Sequence, residues 1–109
     1  EYIVADIIQA FMVIERINDL PTVTIKVGGR IDSTTSPELE KEIDTIGPEV
    51  KTLILDLADL SYTSSAGLRV MLKTHTKMSD RGGLILKNVS EEVMEIFDIT
   101  GFSEILNIQ

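Results

Sequence analysis

Residues 51–78 read KTLILDLADLSYTSSAGLRVMLKTHTKM, and this stretch decides the fold. From Lys51 to Leu57 the chain is almost continuously apolar apart from Asp56, which predicts a central strand covered on both faces, as in a parallel sheet. Ala58 to Ser64 reads as a loop that opens a helix, with Leu68, Met71, Leu72, His75 and Met78 on its apolar stripe. Gly82-Gly83 ends that helix. Strand, loop and amphipathic helix in succession form half of a βαβ unit.

The pattern extends in both directions. Downstream, Leu84 to Lys87 forms another short strand. Ser90-Glu91-Glu92 then starts a third helix that carries Val93, Ile96 and Phe97 inward, and Gly101 terminates it. The tail from Phe102 to Ile108 fits a final strand or a short helix. Upstream, Ser36 caps a helix with Pro37 in its first turn. Leu39, Ile43 and Ile46 line its buried side, and Gly47-Pro48 stops it. Val13–Ile17 and Thr22–Val27, joined through Asn18 to Pro21, read as a hairpin whose second strand ends at Gly28-Gly29. The expectation is an α/β sandwich, mostly parallel, with an antiparallel strand from the N-terminal hairpin.

The chain has 109 residues, the size of one domain. Residues 12–109 are assigned to that domain. Residues 1–11 are assigned to an N-terminal extension or a remnant of expression, with Met12 an available natural start. Ile3, Val4, Ile7, Ile8 and Phe11 fall on one side of a helix there. The segment has no basic start and is too short to span a bilayer, so neither a secretion signal nor a membrane anchor is expected. Apolar residues make up 43% and charged residues 26%, the mix of a globular protein rather than a disordered one. No cysteine is present, which rules out disulfides and thiolate metal sites and fits a cytoplasmic location. One histidine, His75, cannot build a multi-histidine centre, and no metal or other cofactor is expected. A net charge of −8 disfavours direct contact with nucleic acid or the anionic membrane face.

In such a sheet the loops beyond the carboxyl ends of the parallel strands share one edge, where ligands usually bind. The unusual segment there is Ser61-Tyr62-Thr63-Ser64-Ser65-Ala66-Gly67-Leu68, with four hydroxyls and a phenol directly before a helix. One reading is capping: Ser64 or Ser65 accepts hydrogen bonds from the first-turn amides, worth roughly 1 kcal/mol. The other is a phosphorylation site, because a helix N-terminus tolerates added negative charge.

The run LILDLADLSYTSSAGLRVML, with GRIDSTTSPELEKEI before it and GGLILKNVSEEVMEIFDITGFSEIL after it, resembles the STAS domain of bacterial anti-sigma-factor antagonists. The likeness extends from Val13 to Ile108. The family's pattern is an aspartate-ending strand, a loop, and Asp-Ser-Ser-Gly-Leu opening a helix. Asp56, Gly67 and Leu68 match, and Asp32 matches an acidic position in an earlier loop. Ser64 stands where the pattern has aspartate, and Ala66 where it has a second serine. The resemblance implies that Ser65 is the phosphorylated residue, with Ser64 the second candidate.

It also implies a non-enzymatic switch: the unmodified form binds an anti-sigma factor that is itself a serine kinase of the histidine-kinase-like ATP-binding type, and so frees a sigma factor. Phosphorylation reverses this and a phosphatase restores it. The expected partner surface comprises Asp32, Ser33, Tyr62, Thr63, Ser64, Ala66, Gly67, Arg69 and Lys73, on a monomer or weak dimer. The alternative is a stand-alone ligand-sensing or scaffold domain that binds a small anion or lipid.

Arg69, Lys73, Lys77 and Arg81 form a basic stripe along the second helix, either a solvated face or a docking surface beside Ser65. A serine hydrolase is the least favoured reading. It would need a base near the nucleophile, and His75 stands on the order of 15 Å of helical rise from Ser65. Gly28-Gly29 and Gly82-Gly83 lack the lysine of a nucleotide-binding loop.

Overall fold

The computed structural model describes residues 2–4 and 12–109. Its strands are β1 (Tyr2–Val4), β2 (Met12–Asp19), β3 (Thr22–Ile31), β4 (Thr52–Asp56), β5 (Leu60–Thr63), β6 (Gly83–Lys87) and β7 (Asn107–Ile108). Helices α1 (Ser36–Asp44), α2 (Ser65–Met78) and α3 (Glu91–Thr100) pack on them. The sheet runs β1-β2-β3-β4-β6-β7, with β5 paired to β3 off this path. Pairs β1–β2 and β2–β3 are antiparallel, and all others are parallel. The α/β class and the mixed sheet agree with the sequence reading.

The buried side chains form one cluster, with Ile14, Val23, Ile25, Val27, Leu53, Leu55, Leu57, Leu84 and Leu86 from the sheet and Leu39, Ile43, Met71, Met78, Val93 and Phe97 from the helices. Along β4 burial alternates: Leu53 and Leu55 are buried, whereas Thr52, Ile54 and Asp56 are half-buried. Among the described residues the central strand is thus fully buried on one face only, and the helices and sheet form two layers. An apolar Ile54 on the other face made the run look continuous.

Other boundaries differ for local reasons. Thr35, not Ser36, occupies the cap position of α1, and Ser36 is its first, buried residue. Strand β3 continues through Gly28-Gly29 to Ile31 instead of ending there. Residues 60–63, expected in a loop, form β5. The buried face of α2 is Gly67, Leu68, Val70, Met71, Thr74 and Met78, while Leu72 and His75 are half-buried. Thr74 is tolerated inside because its hydroxyl donates to the Val70 carbonyl at 2.7 Å. The tail is both a 3-10 turn, Phe102–Glu104, and strand β7. Ile3 and Val4 lie in β1, not in a helix. Ile7, Ile8 and Phe11 of that expected helix are outside the described residues.

Helix ends follow capping chemistry. The Ser90 hydroxyl accepts from the Val93 N–H at 3.2 Å, and Gly101 closes α3 at φ 83°, a left-handed conformation that glycine adopts without Cβ strain. Phe97, fully buried on α3, joins that helix to the core. Phe97→Ala should lower unfolding free energy by roughly 3–5 kcal/mol, read as a fall in urea midpoint at unchanged slope.

Candidate switch site

All parallel strands deliver their carboxyl ends to one edge, and the site is assembled there around the far half of β3. From Thr22 to Lys26 this strand pairs with β4; from Gly29 to Ile31 it pairs with β5. The register shifts between Gly29 and Arg30, and Gly29 sits at φ 89°. Gly28 lets the next connection approach, because a Cβ there would lie 3.2 Å from Asp59 Cβ. The Gly29 N–H donates to the Asp59 carbonyl at 2.9 Å, and the Ser61 hydroxyl donates to the Gly29 carbonyl at 2.9 Å. The β4–β5 connection is therefore laid onto the bulge of β3.

The result fixes the start of α2. The Ser64 N–H donates to the Ile31 carbonyl at 2.8 Å, and the Ser64 hydroxyl accepts from the Ala66 N–H at 3.2 Å. Ser64 is the cap. Ser65 is the first helical residue, exposed, with its hydroxyl making no hydrogen bond among the described residues. Beneath the first turn, Thr63 and Gly67 are buried and Ala66 is half-buried. A Cβ on Gly67 would collide with Thr63 Oγ1 and come within 2.7 Å of Ile31 Cγ2, so glycine is what lets α2 settle on the β3–β5 pair.

Across the edge, Asp32 and exposed Ser33 follow β3 directly. Asp32 Oδ1 accepts from the N–H groups of Thr34 at 2.9 Å and Thr35 at 3.0 Å. The Thr35 N–H holds the Asp32 carboxyl below its ordinary value of 3.8; burial opposes this, and the Thr34 N–H, the Thr35 hydroxyl and Arg30 add to the lowering. Half-buried Tyr62 carries the Arg30 guanidinium 4.4 Å above its ring centre. Asp56 Oδ1 accepts from the Ala58 N–H at 3.1 Å and from Asn88 Nδ2 at 3.0 Å, tying the ends of β4 and β6.

The predicted site residues thus gather on one edge, except that Lys73 lies farther along α2, where it is drawn onto Glu40. Further along the stripe, Lys77 donates to the Ile43 carbonyl at 3.0 Å, and Arg81 donates to those of Gly47 and Val50 at 2.8 and 2.9 Å. Lys77 thus ties α2 to the carboxyl end of α1, while Arg81, expected on the same helix, lies in the turn beyond Met78 and ties that turn to the segment after α1. Arg30 was not foreseen at the site; its direct precedence of Ile31-Asp32 was the available signal. Among the described residues, no three or more His, Cys, Asp or Glu side chains are grouped to hold a metal ion. No helix among them is long and apolar enough to cross a membrane.

The STAS domain family model matches residues 11–109. The chain is 33% identical over 87 residues to the anti-sigma-B factor antagonist of Bacillus subtilis, covering 79% of this chain and 80% of that one. The fold is similar to the anti-sigma factor antagonist SpoIIAA in its unphosphorylated form, at TM-score 0.74 and 23% identity over 88% of this chain and 87% of that one. The phosphorylated form of SpoIIAA from Bacillus aligns at TM-score 0.67 and 23% identity, covering 90% of each chain.

Gly67→Ala should destabilise the fold by roughly 1–3 kcal/mol through overpacking, outweighing the gain of about 1 kcal/mol in helix propensity. Urea unfolding measures it. The lowered carboxyl of Asp32 contributes stability that is present above its ordinary 3.8 and lost as pH falls through the lower folded value. The stability gap between wild type and Asp32→Ala should therefore narrow as unfolding is measured at progressively more acid pH.

Proposed function

The chain belongs to the STAS domain family, and on that premise we propose that it is an anti-sigma-factor antagonist switched by phosphorylation of Ser65. The observation that carries this is the division of labour between two adjacent serines. Ser64 spends its hydroxyl on capping α2, while one residue later Ser65 presents an exposed hydroxyl that makes no hydrogen bond among the described residues. A kinase needs access to the acceptor oxygen, and Ser65 offers it without cost to the fold.

In the unmodified state the Ser65 edge docks an anti-sigma factor, a serine kinase with a histidine-kinase-like ATP-binding fold, and a sigma factor is released. The kinase transfers the γ-phosphoryl of ATP: the Ser65 oxygen bonds to phosphorus, the bond to ADP breaks, and the hydroxyl proton passes to a base of the kinase. The added charge and three acceptor oxygens then occupy the middle of the docked surface, where desolvation and repulsion weaken binding without refolding. A phosphatase reverses the step. Asp32, Ser33, Tyr62, Ala66 and Arg69 surround the acceptor and form the contact surface, while buried Thr63 and Gly67 shape it. The protein works in the cytoplasm as a monomer or weak dimer.

The ligand-sensing alternative gains nothing from the hollow on the sheet face. This hollow, of about 470 Å³, is lined by Glu15, Asp56 and Asp59, and its Lys26 lies 3.7 Å from Glu15. Such a lining disfavours an anion.

Co-purification with phosphosite mapping should place phosphate on Ser65. Ser65→Ala should abolish modification by the recovered kinase, and Ser65→Asp should weaken affinity for it at least about tenfold, roughly 1.4 kcal/mol. Ser64→Ala should lose about 1 kcal/mol of capping yet still be phosphorylated. Phosphorylation of Ser65→Ala protein would refute the assignment.

A further inference from the structure

Residues four apart on a helix are neighbours on one face. Ser65 opens α2, so Arg69 stands one turn further along on the same side. Arg69 is exposed and makes no hydrogen bond or ion pair among the described residues. The cations that follow it in the stripe are occupied: Lys73 by Glu40, Lys77 by the Ile43 carbonyl, and Arg81 by those of Gly47 and Val50. The neighbouring carboxylates are engaged as well, Glu40 by Lys73 and Asp32 by the amides of Thr34 and Thr35. Arg30, the other guanidinium at this edge, lies over the Tyr62 ring. A hollow of about 260 Å³, bordered by Ser36, Glu40, Ala66, Arg69, Val70 and Lys73, leaves Arg69 room to move.

We propose that Arg69 is the intramolecular receptor of the phosphoryl group on Ser65, its guanidinium donating to the phosphate oxygens across one turn of α2. The inference rests on Ser65 being the acceptor and adds a second consequence to its modification. Phosphorylation both places a dianion on the surface and withdraws from it the free guanidinium on the exposed side of α2. In the unmodified protein that guanidinium is available to a carboxylate of the partner, for which its planar fork is suited. The modified protein uses it internally. The charge that repels the partner and the loss of the charge that attracted it arise from one event.

The test places phosphoserine at position 65 during translation, so that no kinase is needed, and follows the phosphate by 31P NMR as pH is varied. The phosphoserine dianion ordinarily takes up a proton near pH 6. A nearby cation favours the dianion, so the wild-type midpoint should lie below that of Arg69→Gln by about 0.3 pH unit, the size expected of an exposed pair at this spacing. Arg69→Lys should retain part of the difference, and about 1 M salt should erase most of it. Coincident titrations of wild type and Arg69→Gln at low salt would overturn the proposal. A merely structural arginine would instead lower the thermal midpoint of the unmodified variant and leave the phosphate titration in place, a pair of results that also overturns it. Misassignment of the acceptor would show separately, as phosphate mapped elsewhere on protein from cells, with this titration unaffected.

Discussion

The site depends on β3 serving two parallel partners in succession. Its first half holds β4, its second half holds β5, and the change occurs where Gly28 and Gly29 remove two side chains and allow a positive φ. Without that exchange the chain leaving β4 would continue past the sheet edge. With it, Thr63 pairs with Ile31, the Ser64 amide finds the Ile31 carbonyl, and α2 must begin at the next residue. The exposure of Ser65 follows from hydrogen bonds made several residues away.

A second constraint keeps the two exposed helices in register. The last carbonyls of a helix have no partner within it. Near the end of α1 the Ile43 carbonyl accepts from the Ile46 N–H and takes Lys77 as a second donor, and in the turn beyond it Arg81 donates to the carbonyls of Gly47 and Val50. Arg16 of β2 reaches the same region, 3.1 Å from Glu42 and 2.7 Å from the Thr45 hydroxyl. Cations near the carboxyl end of α1 also suit its dipole. What the sequence shows as a surface stripe is thus mostly a fastening between α1 and α2.

Much of this was legible from residues alone, wherever one residue type had one physical use. The Thr52–Asp56 part of the expected Lys51–Leu57 strand, the Ser90 cap, the Gly101 stop and the Pro37 start each report on their own surroundings, and each fell in the expected element. The failures share a different cause. Strand β5 is four residues long, lies beside a bulge that breaks alternation, and exists only because β3 offers it an edge. Thr74 reads as polar but hides its hydroxyl within its own helix, so the buried face of α2 was drawn slightly off true. Thr35 and Ser36 are equally good caps in isolation; a loop hydrogen bond from the Thr35 hydroxyl to the Arg30 carbonyl, at 2.9 Å, decides how the turn is organised. At the site, the Ser61–Leu68 segment stood out by composition, whereas the Arg30–Tyr62 stack could not, because it joins residues 30 and 62 through a strand pairing that was not foreseen.

These features bear on what kind of switch the edge can be. Ser65 stands on a helix whose first turn is pinned from below by Gly67 on Ile31 and Thr63, and from behind by the Ser64 amide on β3. A charge added there would fall on an exposed side chain of a helix start already held by these contacts. Its effect is confined to the surface, where it reaches whatever docks on the edge and the arginine one turn along. Packing this tight also limits the energy that modification can draw from the fold, so discrimination between the two states must come from the contacts themselves. Under the proposed switch, a short, rigid acceptor with an arginine one helical turn along would suit that task, since the same patch of surface would carry the attraction in one state and the repulsion in the other.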